Sequence, residues 1–75
     1  MATLPVPASI DSEKAVLGAM IASRNFLIEA IDTLSPTDFY DQKQNAVIFR
    51  ALVSLYKKNI EVDNVALVNE LNAMK

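Results

Sequence analysis

The chain has 75 residues, of which 52% are hydrophobic and 21% are charged, and its formal net charge is −2. That length allows one small domain, and the composition predicts a folded chain because disordered chains combine low hydropathy with high charge. Cysteine and histidine are absent, which excludes disulfides, thiolate nucleophiles, imidazole bases and the usual zinc ligands.

The N-terminal segment, residues 1–8, is predicted to be an extended arm that leads into a helical bundle spanning residues 9–75. Two of the three prolines lie in this arm, and it has no hydrophobic periodicity. Ser9 follows the arm and is a candidate N-cap. The first helix is therefore predicted to run from Ile10 to about Ala22.

The predicted first helix is apolar on two sides, and this pattern places it at the centre of the bundle. Asp11 and Glu13 bring negative charge to its positive N-terminal end. A strip of small side chains recurs along one side at helical spacing: Ala15, Gly18, Ala19 and Ala22. The strip is either a site of close packing within the chain or a seam for another subunit.

A second short amphipathic helix is predicted after an interruption at residues 23–25. Its apolar face consists of Leu27, Ala30, Ile31 and Leu34. The helix is expected to end at Ser35-Pro36, because the residue before a proline is disfavoured in helical geometry. Residues 35–40 are then predicted to form a turn or a single helical turn.

The third helix has the clearest periodicity and is predicted to run from Asp41 or Gln42 to about Lys58. Its apolar stripe consists of Ile48, Phe49, Leu52, Leu55 and Tyr56, and the opposite side carries Lys43, Arg50, Ser54 and Lys57. Asn45 falls on the buried side, where its amide should be hydrogen-bonded. Asn59 is a plausible left-handed stop for this helix.

Asp63 is predicted to cap a fourth helix after a short extended segment. Its apolar residues recur at helical spacing and are Leu67, Val68, Leu71 and Met74. The pattern reaches Lys75 without a C-terminal cap, so we expect the sequence to end inside a larger domain.

No catalytic, cofactor or metal site is predicted from these residues. A phosphate-binding loop needs several glycines, and this chain has one, Gly18, within a predicted helix. Asp38 and Asp41 raise the question of paired carboxylates, but a turn and a helix start account for both.

Neither a membrane nor a nucleic acid is an expected partner, and a cytoplasmic location is expected. The longest apolar stretch, residues 15–22, is far shorter than the roughly 20 residues of a membrane-spanning helix. The seven basic residues are scattered, whereas nucleic-acid binding usually requires a basic stripe on one face.

Four short segments occur in an order and spacing that are typical of one protein family. They are residues 7–19 (Pro-Ala-Ser-Ile-Asp-Ser-Glu-Lys-Ala-Val-Leu-Gly-Ala), residues 34–40 (Leu-Ser-Pro-Thr-Asp-Phe-Tyr), the pair Ile48-Phe49, and Val62-Asp63-x-Val65-x-Leu67. Over residues 5–75 the chain resembles the N-terminal domain of DnaB-type replicative helicases. It departs from the family pattern in one extra residue between Tyr40 and Ile48 and in Asn45, where a histidine is usual.

The resemblance implies an all-α fold of about four helices, and the departures point to a divergent member of phage or plasmid origin. It also implies a non-catalytic protein-interaction domain that supports assembly of the hexamer collar and recruits a DnaG-type primase, with self-association and a helicase loader as further contacts. No cofactor is expected here, because ATP and Mg belong to a separate C-terminal domain of the parent, an ATP-dependent DNA helicase. The alternative is a stand-alone phage or plasmid factor of the same fold that binds and modulates a host helicase.

The candidate partner contacts are Asp11, Ala15, Gly18, Ala22 and Val47. Asp11 matches an acidic residue of the family and is our candidate for primase contact, since exposed charges often determine the choice of partner. The small residues are candidates for a subunit seam. Val47 lies off the apolar stripe of its helix, as does Ile28 in the second helix, so each is an ordinary exposed residue or a partner contact.

Overall fold

The computed structural model describes residues 9–74, which form four α-helices and one short 3-10 helix and contain no strand. In chain order the elements are α1 (Ile10–Ala22), α2 (Arg24–Thr33), the 3-10 helix (Pro36–Asp38), α3 (Asn45–Lys57) and α4 (Asn64–Ala73). The all-α prediction is confirmed. The predicted arm, residues 1–8, lies outside the described residues.

Three of the helices begin at a side-chain cap. The hydroxyl of Ser9 accepts the backbone N–H of Ser12 at 3.1 Å, and the carboxylate of Asp63 accepts that of Ala66 at 2.7 Å. Both caps were predicted from the sequence. Ser23 caps α2 in the same way and also ends α1, so a single residue separates the two helices.

Helix α3 begins at Asn45, later than the predicted start at Asp41 or Gln42. The cause is local hydrogen bonding, because Asp41 Oδ1 accepts the backbone N–H groups of Lys43 and Gln44 at 3.1 and 3.0 Å. An aspartate that binds nearby N–H groups stabilises a turn in competition with the helix. The predicted left-handed stop is confirmed at the other end, where Asn59 has a φ of 63°.

Helix α3 lies at the centre of the bundle and packs against α1, α4 and the 3-10 helix, while α2 packs against α1. The largest buried apolar side chains include Leu17, Met20, Leu27, Leu34, Phe39, Phe49, Leu52 and Leu55. The rings of Phe39 and Phe49 lie 5.1 Å apart and tie the 3-10 helix to α3. The prediction that α1 is the central helix is wrong, because only one of its sides is covered.

Candidate functional site

Most of the strip of small residues on α1 faces away from the bundle, and Ala19 is half-buried. Ala15, Gly18 and Ala22 are exposed, and no atom from another part of the fold lies within 4 Å of the position that a Cβ on Gly18 would occupy. Close packing of the strip within the chain is therefore wrong. Larger apolar side chains on the opposite side of α1 bury more surface, and burial of that side determines which way the helix faces.

Four of the five predicted contacts form one line on α1. Asp11, Ala15, Gly18 and Ala22 are spaced by four, three and four residues, which aligns them on one face of a helix. All four are exposed. We call this line the α1 outer face.

Val47, the fifth predicted contact, lies elsewhere on α3 and is half-buried. It borders a shallow groove of about 250 Å³ with Ile48 and Leu71. The structure therefore does not bring Val47 together with the α1 outer face. Ile28 is 40% exposed on α2.

Helix α4 exposes two large apolar side chains to solvent. Val65 is 70% exposed and Val68 is 54% exposed, whereas Leu71 beside them is half-buried. Only Leu67 of the predicted apolar stripe is fully buried. We call Val65, Val68 and Leu71 the α4 apolar face, and exposed apolar patches of this kind often mark protein contacts.

Glu13 has no exposed surface, although the sequence indicated only a charge near the start of α1. Its carboxylate accepts the backbone N–H groups of Tyr40 and Asp41, the latter at 3.2 Å, and the side-chain amide of Asn45 at 3.0 Å. The prediction of a buried, hydrogen-bonded Asn45 is confirmed. Glu13 thus joins α1 to the turn before α3 and to the first residue of α3.

The pKa of Glu13 reflects two opposing effects. Burial of the carboxylate raises its pKa, but the hydrogen bonds from Asn45, Tyr40 and Asp41 favour the charged form and lower it. The net pKa lies below the ordinary value of 4.5. Glu13 is therefore an anion at neutral pH, held by neutral donors.

Glu70 is the second buried carboxylate and joins α4 to α3. It accepts the hydroxyl of Ser54 and lies 3.0 to 3.1 Å from the ammonium group of Lys58, which forms a salt bridge with it. The pKa of Glu70 is lowered, first by the hydrogen bond from Ser54 and then by Lys58, against the effect of burial.

Sequence reasoning missed the roles of both glutamates, yet a signal was present for each. Glu13 precedes Leu17 and Met20 by four and seven residues, so it shares the buried side of α1 with them. Glu70 follows the buried Leu67 by three residues on α4. A glutamate in register with apolar residues predicts a buried carboxylate that needs donors.

Asp38 has the turn role predicted for it, whereas Asp41 lies in the turn before α3 and not at the predicted helix start. Asp38 Oδ2 accepts the backbone N–H of Ser35 at 2.8 Å, and Asp41 holds the turn before α3. Residues 9–74 contain no group of three or more His, Cys, Asp or Glu side chains that could hold a metal ion. In the same part of the chain, no helix is long and apolar enough to span a membrane.

Residues 5–75 match a family model described as the DnaB-like helicase N terminal domain. The chain belongs to this family. Two relatives are each a replicative DNA helicase DnaB: that of Rhodothermus marinus is 38% identical over 65 residues, and that of Geobacillus stearothermophilus is 37% identical over 67 residues. A third, from Leifsonia xyli subsp. xyli, is 26% identical over 68 residues.

The match covers most of this chain but little of each relative. It spans 87%, 89% and 91% of the chain, but 7%, 14% and 15% of the three helicases. The chain therefore spans only a small part of the length of these relatives. No solved structure matches the chain.

Proposed function

We propose that the chain acts in DNA replication as a non-catalytic protein-interaction domain of a replicative DNA helicase. The observation that carries this proposal is the family match over residues 5–75. The relatives are replicative DNA helicases, and this supplies the process. Catalysis, with its ATP and Mg, is assigned to a separate domain of the parent protein.

The hydrogen bonds made by five acidic side chains support a role in protein–protein contact rather than in catalysis. The buried carboxylates of Glu13 and Glu70 are both engaged by donors of the same chain. Asp38, Asp41 and Asp63 each accept a backbone N–H group at a turn or a helix start. These five acids therefore stabilise the fold, and they are not free to act on a substrate.

Two surfaces support specific contacts. The α4 apolar face exposes Val65 and Val68, and burying it against another subunit would remove apolar surface from water. We assign this face to self-association in the hexamer collar. The α1 outer face begins at Asp11, which we assign to recruitment of a DnaG-type primase, because an exposed charge at an interface mainly affects association rate and partner choice.

The test is the molar mass of the chain in solution, measured by light scattering after size exclusion, alone and with the C-terminal domain of the cognate primase. We expect a stoichiometric complex with primase. The proposal is wrong if the chain binds neither primase, nor the full-length helicase, nor the helicase loader.

Two pairs of variants separate the two surfaces. Val68→Asp should weaken self-association, whereas Asn69→Asp, which adds the same charge to an exposed position on another side of α4, should not. Asp11→Asn should slow association with primase, and Ser12→Ala at the next exposed position is its control. A primase complex that forms equally fast with Asp11→Asn would remove that residue from the interface.

A further inference from the structure

A groove of about 420 Å³ runs between the end of α2 and α3, away from the surfaces assigned above. Its apolar lining includes Ile31, Leu34, Phe49 and Val53, and its cationic residues are Arg50 and Lys57. We call it the α2–α3 groove. Its size falls in the range of roughly 300 to 1,000 Å³ that is typical of binding pockets.

The lining of the groove is only partly covered by the chain itself. Phe49 and Leu34 are buried and form the floor, while Ile31 and Val53 are half-buried. An apolar side chain placed in the groove would cover the remaining surface of both. The groove therefore favours an occupant with apolar anchors.

The two cations beside this lining are available to a partner. Arg50 and Lys57 are exposed, and neither forms an ion pair with any residue of the described part of the chain. Lys58 differs, because it is paired with Glu70. Lys14, Arg24 and Lys43 also form no ion pair in the described part of the chain. Arg50 and Lys57 differ from them because both line this groove.

The spacing of the cations suits a helical ligand. Arg50 and Lys57 are seven residues apart on α3, which corresponds to a rise of about 10 Å along the helix axis. Two carboxylates on a ligand helix about two turns apart have the same separation. Amphipathic helices bind apolar grooves through anchors at helical spacing.

We propose that the α2–α3 groove binds an amphipathic helix of a partner protein, with apolar side chains against Phe49 and Val53 and acidic side chains paired with Arg50 and Lys57. This inference deepens the proposed function and rests on the chain being an interaction domain. It adds a third surface and the chemistry of its partner.

Charge argues against two occupants from this sequence, residues 1–8 and the α4 helix of a second copy. Residues 1–8 contain no Asp or Glu, so this segment offers no carboxylate side chain to the two cations. The exposed helix of a second copy, α4, has a single acid, Glu70, which is buried and paired with Lys58. A separate acidic helix meets both requirements of the groove.

The test is a selection of helix-forming peptides from a randomised display library on the immobilised 75-residue chain, followed by affinity measurement on individual peptides. We expect the selected peptides to combine apolar anchors at helical spacing with Asp or Glu. They should bind the double variant Arg50→Glu/Lys57→Glu about tenfold or more weakly, because two favourable charge pairs become repulsive. Exchanging the peptide's acids for Lys should restore binding to that variant.

The matched control is Lys14→Glu/Lys43→Glu, which makes the same change of charge at two exposed lysines outside the groove and should leave peptide affinity unchanged. Circular dichroism of both double variants checks that they fold. The inference is overturned by a selection that yields no acidic amphipathic peptides, or by peptides that bind Arg50→Glu/Lys57→Glu as tightly as the parent chain. The molar mass of the chain is also measured without peptide. If Arg50→Glu/Lys57→Glu changes it, the groove is occupied by a second copy of the chain, and the inference is overturned.

These outcomes are distinct from failure of the proposed function. Peptides that bind the groove in a chain that binds no replication protein would support this inference and refute the proposed function. If primase binds the double variant as tightly as the parent chain and the selection yields no acidic peptides, the proposed function is supported and this inference is refuted.

Discussion

The two buried glutamates join α3 to its neighbours in different ways. Glu13 links α1 to the start of α3 through two backbone N–H groups and the amide of Asn45, all of them neutral donors. Glu70 links α4 to the end of α3 through the hydroxyl of Ser54 and a cation, Lys58. Glu13 has no exposed surface, and the side chain of Glu70 is 9% exposed beside a Lys58 side chain that is 53% exposed.

The comparison shows that a buried anion does not require a buried cation. Directed N–H groups favour the charged form of a carboxylate and compensate for its loss of water. Glu13 also fixes the backbone of the turn at residues 40–41, whereas Glu70 contacts only side chains. Loss of Glu13 should therefore release a segment of backbone, and loss of Glu70 should not.

The largest expected effect is that of Glu13→Ala. The substitution leaves the N–H groups of Tyr40 and Asp41 without an acceptor, and unsatisfied buried donors are costly. The side-chain amide of Asn45 keeps only its long hydrogen bond to the carbonyl of Ile10, at 3.5 Å. We expect the Tm to fall by about 10 °C or more, against about half of that for Glu70→Ala. Thermal unfolding followed by circular dichroism measures both.

The matched variant Glu13→Gln keeps the shape and one acceptor oxygen but removes the charge. It should unfold at a temperature between those of Glu13→Ala and the parent chain. An effect of Glu70→Ala as large as that of Glu13→Ala would refute the difference drawn between the two sites.

The second prediction concerns pH. The pKa of each of these glutamates in the folded chain lies below the ordinary value of 4.5. Their contribution to the free energy of unfolding is therefore complete above about pH 4.5 and is lost as the pH falls through the folded-state pKa. Chemical denaturation from pH 7 to pH 3 should show stability falling in the acidic part of this range.

The double variant Glu13→Gln/Glu70→Gln provides the control for this titration. Its free energy of unfolding should be lower at neutral pH than that of the parent chain, and it should depend less on pH between about 4.5 and 3. Parallel pH profiles for the two proteins would show that other carboxyl groups cause the acid sensitivity.

The third prediction concerns Asn59, in the connection between α3 and α4, the two helices that Glu70 joins. Asn59 has a positive φ, a conformation that costs most residues with a Cβ about 1 kcal/mol. Gly avoids this cost because it has no Cβ, and Asn and Asp tolerate the conformation. We expect Asn59→Ala to lower the free energy of unfolding by about 1 kcal/mol and Asn59→Gly to leave it unchanged or higher. Urea denaturation distinguishes the two, and equal loss in both variants would indicate a role for the Asn59 side chain instead.

The smallest expected effect is that of Lys58→Met, which keeps the aliphatic stem but removes the cation from Glu70. Because the Lys58 side chain is 53% exposed, water screens its charge, and we expect the Tm to fall by only about 2 to 4 °C at low salt. The difference should shrink in about 1 M NaCl, where charges are screened within about 3 Å. The effect of Glu13→Ala should be less sensitive to salt, since its donors are neutral.

The local signals in the sequence predicted the helices well. Ser9 and Asp63 as caps, the bounds of α1 and the left-handed Asn59 all follow from interactions within a few residues of the chain. The start of α3 was missed because Asp41 binds the N–H groups ahead of the helix while Glu13, distant in sequence, accepts the N–H of Asp41 itself. The hydrogen bond from Asp41 to Glu13 cannot be predicted from residues 41–45 alone.

The orientation of α1 was harder to predict than its bounds. Both of its sides are apolar, and periodicity does not say which side another helix will cover. The position of α3 decides this, because α3 packs on the side that holds Glu13 and Leu17. Spacing alone grouped the small residues Ala15, Gly18, Ala19 and Ala22, but their exposure depends on the packing of the whole bundle.

Gly18 faces open space in a chain that contains no cysteine. A single Gly18→Cys or Ala15→Cys substitution would therefore create one reactive thiol on the α1 outer face without competition from any other site. A nitroxide attached there would tumble rapidly in the free domain and slow when another molecule covers the helix. The outward direction of these small residues thus provides an attachment point for a spectroscopic label that reports, in real time, when this side of the domain is occupied.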